Sequence, residues 1–242
     1  MATLSAKQWK TYAKKLARAH DEAGELMKEY IRQQGYSDPK KLVDYAYFLT
    51  SKYSKATGAL ACEMYDSMAY LEGTLLPEAV MAEAPSYGEV AKTVYGTMKN
   101  ENDELVSGAV SRLVKRRGAD TIVQNAKRDG AEIAWIPSGD SCPYCEMIAG
   151  EGWQHVSEAG VTSGHADHIH AHCDCTFAIR TSPETTVKGY YPEKYRKAFE
   201  DAPGDTMEEK LNAQRRERYA ENKDEINAAK RELYAEQHDN RS

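Results

Sequence analysis

The sequence is short of several things. Phenylalanine occurs only three times in 242 residues, against sixteen tyrosines. A ring that keeps a hydroxyl suits helices packed at wet interfaces better than a dry aromatic core. No apolar run approaches about 18 residues, which excludes a transmembrane helix. The start, MATLSAKQWKTYAKKLARAH, has no apolar stretch and no cleavage pattern, so no secretory signal is expected. Excess positive charge is also missing. The net charge is −6, from 32 basic and 38 acidic side chains, so the chain as a whole is not a basic nucleic-acid binder. Internal repeats and low-complexity tracts are absent. Cysteine is scarce and clustered: four of five fall between positions 142 and 175, and Cys62 stands alone. In a reducing cytosol such thiols stay free for metal or catalysis.

The first third carries helical periodicity. Over residues 5–34, Trp9, Tyr12, Ala13, Leu16, Ala23, Met27 and Tyr30 recur at spacings that make one amphipathic stripe, and Gly35 ends it. Asp38 and Pro39 then supply a cap and a first helical residue. A longer stripe follows through Leu42, Tyr45, Leu49, Tyr53, Ala56, Leu60, Met64, Met68 and Leu71. Two long helices on a short link predict an antiparallel hairpin, with the Met and Tyr residues as core and Cys62 as a small buried hydrophobe. EGTLLPEAVMAEAP reads as a connection. Ser86 and Glu89 have capping-box spacing and open a short helix to about Lys99. The next helix turns Leu105, Val106, Ala109, Val110 and Leu113 inward. The basic run Lys115, Arg116, Arg117 complements a helix C-terminus, and Gly118 is expected to stop it. ADTIVQNAKRDG then reads as one more short helix. The basic cluster is expected to be a solvated face, with packaged DNA as a sharper alternative contact.

The texture changes at Ala131. AEIAWIPSG reads as a short strand entering a turn, and residues 131–180 hold two Trp, four Cys and five of the seven His. Cys142 and Cys145 form Cys-x2-Cys. His170 and Cys173 form His-x2-Cys, and Cys175 follows. Zinc takes four N/S ligands, offered as two close pairs. Five candidates (Cys142, Cys145, His170, Cys173, Cys175) therefore compete for four places. Plain packing of the thiols is the structural alternative, and His155 and His165 read as surface residues. A structural zinc would help a small module with little core.

The same residues allow two catalytic readings. Cys-Pro-Tyr-Cys matches the redox centre of glutaredoxin-like oxidoreductases, but the βαβ context is missing. HADHIHAHC resembles the core of HNH and endonuclease VII-like nucleases. There His168 would be the base, and Asp167 and His170 would hold a divalent metal. The second Cys-x2-Cys and the downstream helical ligand of those enzymes are missing.

AWIPSGDSCPYCEMIAGEGW followed by IHAHCDCTFAIR resembles the C-terminal module of MuF-like phage head morphogenesis proteins, especially minor capsid proteins of the VG15 type. The pattern falls on Pro137, Gly139, Cys142, Cys145, Ile148, His170, His172, Cys173, Asp174 and Cys175, with Ala171 where Pro is usual. The resemblance implies a structural, non-enzymatic virion protein, made in the bacterial cytoplasm and carried in the phage head. Portal protein and major capsid protein are its implied partners, with no membrane and no small-molecule substrate. The expected architecture is mainly α. A body of long antiparallel helices (1–130) precedes a zinc-knuckle-like α+β Cys/His module (131–180). A linker (181–205) and a charged C-terminal helix (206–242) complete it. In that last segment Tyr219, Ile226 and Leu233 recur every seven residues, a thin stripe for docking.

Overall fold

The computed structural model of the protein describes residues 5–138, 141–156 and 175–224, with 227, 228 and 231. Among these the chain is mainly α: seven α-helices and one small three-stranded antiparallel sheet. Helix α1 (Ala6–Gln34) starts on a full capping box, Ser5 with Gln8, and ends at Gly35. Helix α2 (Pro39–Glu72) starts on the Asp38 cap, whose carboxylate accepts the Lys41 N–H at 3.2 Å. Tyr30 stacks on Tyr45 at 4.1 Å, and the Tyr53 hydroxyl donates to Glu22. Partner numbers fall on one helix as they rise on the other, so α1 and α2 form the expected antiparallel hairpin.

Helix α3 (Tyr87–Thr97) is capped by Ser86, whose hydroxyl accepts the Glu89 N–H. The Glu89 carboxylate pairs with Arg116. Helix α4 runs unbroken from Asp103 to Asp129, which corrects the expected stop at Gly118 and the separate short helix after it. The physical reason is packing. Helix α4 lies parallel to α2, and a Cβ on Gly118 would sit 3.2 Å from the Thr57 carbonyl oxygen. The Thr57 hydroxyl donates to the Val114 carbonyl at 2.7 Å across the same crossing. Gly118 therefore admits the neighbouring helix, and the stop is Gly130, at φ 66°.

The basic run is also corrected. Lys115 is buried. Arg116 pairs with Glu89 and Asp120. The Arg117 Nε donates to the Ala82 carbonyl at 2.9 Å. None of the three is a solvated face. Arg117 belongs to a row on α4 that holds the connection 74–86 flat against the helix. Thr121 accepts the Ala82 N–H. Asn125 both accepts from and donates to Val80, and Arg128 donates to the Pro77 and Glu78 carbonyls. Several backbone polar groups of a connection that belongs to no strand are thus paired by one face of α4, and Asp66 of α2 accepts the Ala79 N–H at 2.9 Å.

The sheet follows α4 directly. Strand β1 (Glu132–Ile136) is central, between β2 (Gln154–His155) and β3 (Thr176–Arg180), and both neighbours run antiparallel to it. Helix α5 (Pro143–Gly150) sits between β1 and β2 in the chain. Within the segment expected as a linker, helix α6 (Pro192–Glu200) packs on α5. A Cβ on Gly150 would meet the Arg196 backbone nitrogen at 2.8 Å, so glycine is required there. Helix α7 (Met207–Glu221) opens on a Thr206–Glu209 capping box. Among the described residues no helix is long and apolar enough to cross a membrane.

Burial divides into two clusters. One is wholly helical and includes Met27, Leu42, Leu49, Val90, Val110 and Val114. Each such side chain contributes about 1.5–3 kcal/mol relative to exposure. The other joins the far ends of α1, α2 and α4 to the sheet and α5, through Tyr12, Tyr65, Ile122, Trp135, Cys145 and Ile179. Residues from 131–180 and from the helical body share that second core.

Candidate functional site

Three of the five candidate ligands lie among the described residues: Cys142, Cys145 and Cys175. His170 and Cys173 lie outside them, as do Asp167 and His168 of the nuclease-like stretch. Cys142 is the N-cap of α5, with extended backbone (φ −75°, ψ 160°) and Pro143 as first helical residue. It is half-buried, and Cys145, one turn into the helix, is buried. Cys62, expected in the core, is half-buried too, and burial raises its thiol pKa.

Cys175, just before β3, is buried in the same cluster as Cys145. Thr176 of β3 pairs with Ile136 of β1, so the residues just beyond this pair face one another. The Ser138 backbone N–H donates to the Cys175 sulfur at 3.4 Å, and the Ser138 hydroxyl is 3.7 Å from it. Cys175 is fully buried. Among the described residues, no three His, Cys, Asp or Glu side chains converge as a ready ligand set.

Helix α7 braces this corner. Arg218 donates to the Ser141 carbonyl and to Glu146 at 2.9 Å, and Ser141 donates to Glu146 at 3.0 Å. At the other end of α5, the Tyr190 hydroxyl donates to the Ala149 carbonyl and Arg196 to the Gly150 carbonyl. Burial raises the Tyr144 pKa, with the neighbouring Cys145 adding to it. Burial raises Tyr195 as well, which also faces Glu146 and Cys175.

Behind Cys175 lies a surround that the sequence did not advertise. His20, Lys115 and Trp135 border a cavity of about 10 Å³, room for about one water. The Lys115 ammonium is 5.8 Å from the Trp135 ring centroid, within cation–π range. The Trp135 indole N–H has no hydrogen-bond partner among the described residues. Burial holds the Tyr12 phenol well above its ordinary pKa, against a hydrogen bond with Thr176 that lowers it. These residues come from two helices and two strands. No sequence signal marked them, because Lys115 lies two residues past Leu113, off the three-and-four stripe of α4.

His155 lies exposed on β2, the surface position expected of it. Both neighbours of β1 run antiparallel, so α5 is not the crossover helix of a βαβ unit.

No curated protein and no solved structure matches the chain. The sequence model of the family described as VG15 protein matches residues 3–202. That span takes in α1 through α6 and all four clustered cysteines, leaving α7 beyond it. By this match the chain belongs to the VG15 protein family, a family of viral proteins.

Proposed function

We propose that the chain is a structural minor capsid protein of the MuF-like kind, acting in phage head assembly or DNA delivery. Membership of a viral family over residues 3–202 carries this reading. Its support is that the same span contains the Cys-x2-Cys and His-x-His-Cys-Asp-Cys segments of phage head morphogenesis proteins. In this reading the protein works by contact with portal and major capsid proteins. It is made in the host cytoplasm, ends in the virion, and catalyses nothing. The test is its presence in purified particles. Mass spectrometry should find it at low copy beside portal protein, and antibody against it should pull down portal and major capsid protein. Particles that lack it would overturn the proposal.

A structural zinc is part of the same reading. The donor chemistry fits: thiolates are soft ligands, and a sulfur that accepts a backbone N–H, as Cys175 does from Ser138, is stabilised in its charged form. Cys142 and Cys145 would supply one pair across the start of α5. Two of His170, Cys173 and Cys175 would supply the other. Bound zinc would act as a cross-link between α5 and the chain entering β3. Elemental analysis of reduced, freshly purified protein should find about one zinc per chain. Cys145→Ser should lower that content, and zinc-free wild-type protein would sink the assignment.

The catalytic alternatives have direct assays. Plasmid nicking with Mg²⁺ or Mn²⁺ that disappears in His168→Ala would establish a nuclease. Disulfide reduction that depends on Cys142 would establish an oxidoreductase. Neither activity is expected.

A further inference from the structure

The first half of α1 and the last third of α2 leave a groove between them, of about 880 Å³. Tyr12, Leu60, Met64 and Leu71 give it an apolar floor. Its two rims carry opposite charge. Lys7 and Lys15 line the α1 side, and Glu63 and Asp66 line the α2 side. Lys7, Lys15 and Glu63 are exposed, and among the described residues none of their side chains is in an ion pair. An apolar trough with one basic and one acidic rim suits an amphipathic helix whose two flanks are charged in the opposite sense.

The C-terminal segment of this chain has that pattern. Its stripe, Tyr219, Ile226 and Leu233, repeats every seven residues. In a helix, Lys223 and Lys230 would flank the stripe on one side, and Glu225 and Glu232 on the other. Lys7 and Lys15 are eight residues apart and Glu225 and Glu232 seven, spacings that match to within about one helical rise. Laid in one of its two directions, the segment sets glutamates over the basic rim and lysines toward the acidic one.

The stripe begins on a residue its own chain leaves open. Tyr219 is 46% exposed, and the described residues 221–224, 228 and 231 are exposed as well. The root of the segment is fixed to α5 through Arg218. We infer that the groove between α1 and α2 receives the segment that follows α7 in a second copy of this chain, folded as a helix in the groove. Reciprocal exchange then gives a closed two-fold dimer, since each copy offers one groove and one arm. The inference does not depend on the phage-head reading. It rests on the groove, its two charged rims and the charge pattern of the arm.

Light scattering after size-exclusion chromatography of the full chain, at micromolar concentration, should show a dimer. Truncation after Glu221 should give a folded monomer with the circular dichroism of the remaining helices intact. Lys7→Glu with Lys15→Glu should weaken the dimer at least tenfold, because the new rim repels Glu225 and Glu232. Adding Glu225→Lys and Glu232→Lys to that variant should restore it. A monomeric full chain would overturn the proposal, including the case in which the arm folds onto its own groove or the groove serves another protein. A dimer indifferent to truncation, or a charge reversal that the second reversal does not rescue, would overturn it equally.

Discussion

The two buried clusters are built differently. The helical one is made by stripes. Met27 and Ile31 on α1, Leu42, Leu49 and Tyr53 on α2, and Val106, Val110 and Leu113 on α4 each recur along one helix at three, four or seven. Each helix carries its own share of that core, and neighbours meet through small residues such as Gly24 against Ser111. The mixed cluster has no such local logic. Trp135 packs edge-on against Phe177 at 4.7 Å, the Tyr65 hydroxyl reaches Asp129, and Thr181 binds Glu72. Those partners are 42, 64 and 109 residues apart. The first cluster forms from elements that are individually amphipathic. The second forms only when the sheet, α5 and three helix ends are in place together. The cysteine corner sits in the second, so its geometry depends on the most non-local part of the fold.

Trp135→Ala is the largest test of this contrast. It removes a ring that touches both β3 and the buried Lys115, at an expected cost of about 3–5 kcal/mol. If the mixed core is continuous, far-ultraviolet helicity and near-ultraviolet tryptophan signal should fall in one thermal transition at a lower Tm. Two transitions, with the helical signal unmoved, would mean that the sheet and the helical body melt as separate units.

Gly118→Val comes next, and acts where the two clusters meet on α4. The added Cβ lies 3.2 Å from the Thr57 carbonyl oxygen, closer than ordinary packing allows. Such overpacking costs about 1–3 kcal/mol. Gly96, with open space around the position of its Cβ, is the control. Gly96→Ala should cost nothing or stabilise slightly, because alanine favours the helix interior by up to about 1 kcal/mol.

The two glycines also show what could be read in advance. The long hairpin, the capped starts at Asp38 and Ser86, and the strand after Ala131 were legible because each is a local signal. Lys-Arg-Arg-Gly misled because a helix end and a helix crossing can share one spelling. Nothing between 115 and 118 says that Thr57 arrives there, or that Arg117 is held by Ala82. The Cys-x2-Cys pair was legible for the same reason as the caps. Ser138 as the partner of Cys175 was not, because it depends on the β1–β3 register. His20, Lys115 and Trp135 gather behind it only through tertiary packing. Helix α6 was missed within its Gly- and Pro-bounded surroundings, because its docking on α5 through Gly150 supplies what its own nine residues do not.

Asp129 tests the mixed cluster through pH. The Arg128 guanidinium holds its carboxyl below the ordinary value, burial opposes this, and the Tyr65 hydroxyl adds to the lowering. A carboxylate whose pKa is depressed on folding stabilises the folded state fully above its unfolded pKa, about 4. That contribution is lost as pH falls from there through the depressed value. Asp129→Asn should therefore lower Tm at neutral pH. The gap between variant and wild type should close as pH drops below about 4. A gap that stays constant into acid would show that the contact acts without its charge.

The smallest effect is expected at Arg218, where α7 meets the cysteine corner. Its ion pair with Glu146 is partly exposed, with the two side chains 39% and 26% accessible, and such pairs contribute roughly 0–1 kcal/mol. The hydrogen bond to the Ser141 carbonyl adds a comparable amount. Arg218→Ala should thus lower global stability by no more than about 1–2 kcal/mol, while freeing α7 from α5. Hydrogen exchange separates the two consequences. Amides of α7 should lose protection, while those of α2 and α4, deep in the helical cluster, should keep theirs. If α4 loses protection along with α7, the brace at Ser141 supports the whole mixed core, and the corner that carries Cys142 and Cys145 is coupled to the helical body more tightly than one arginine's contacts suggest.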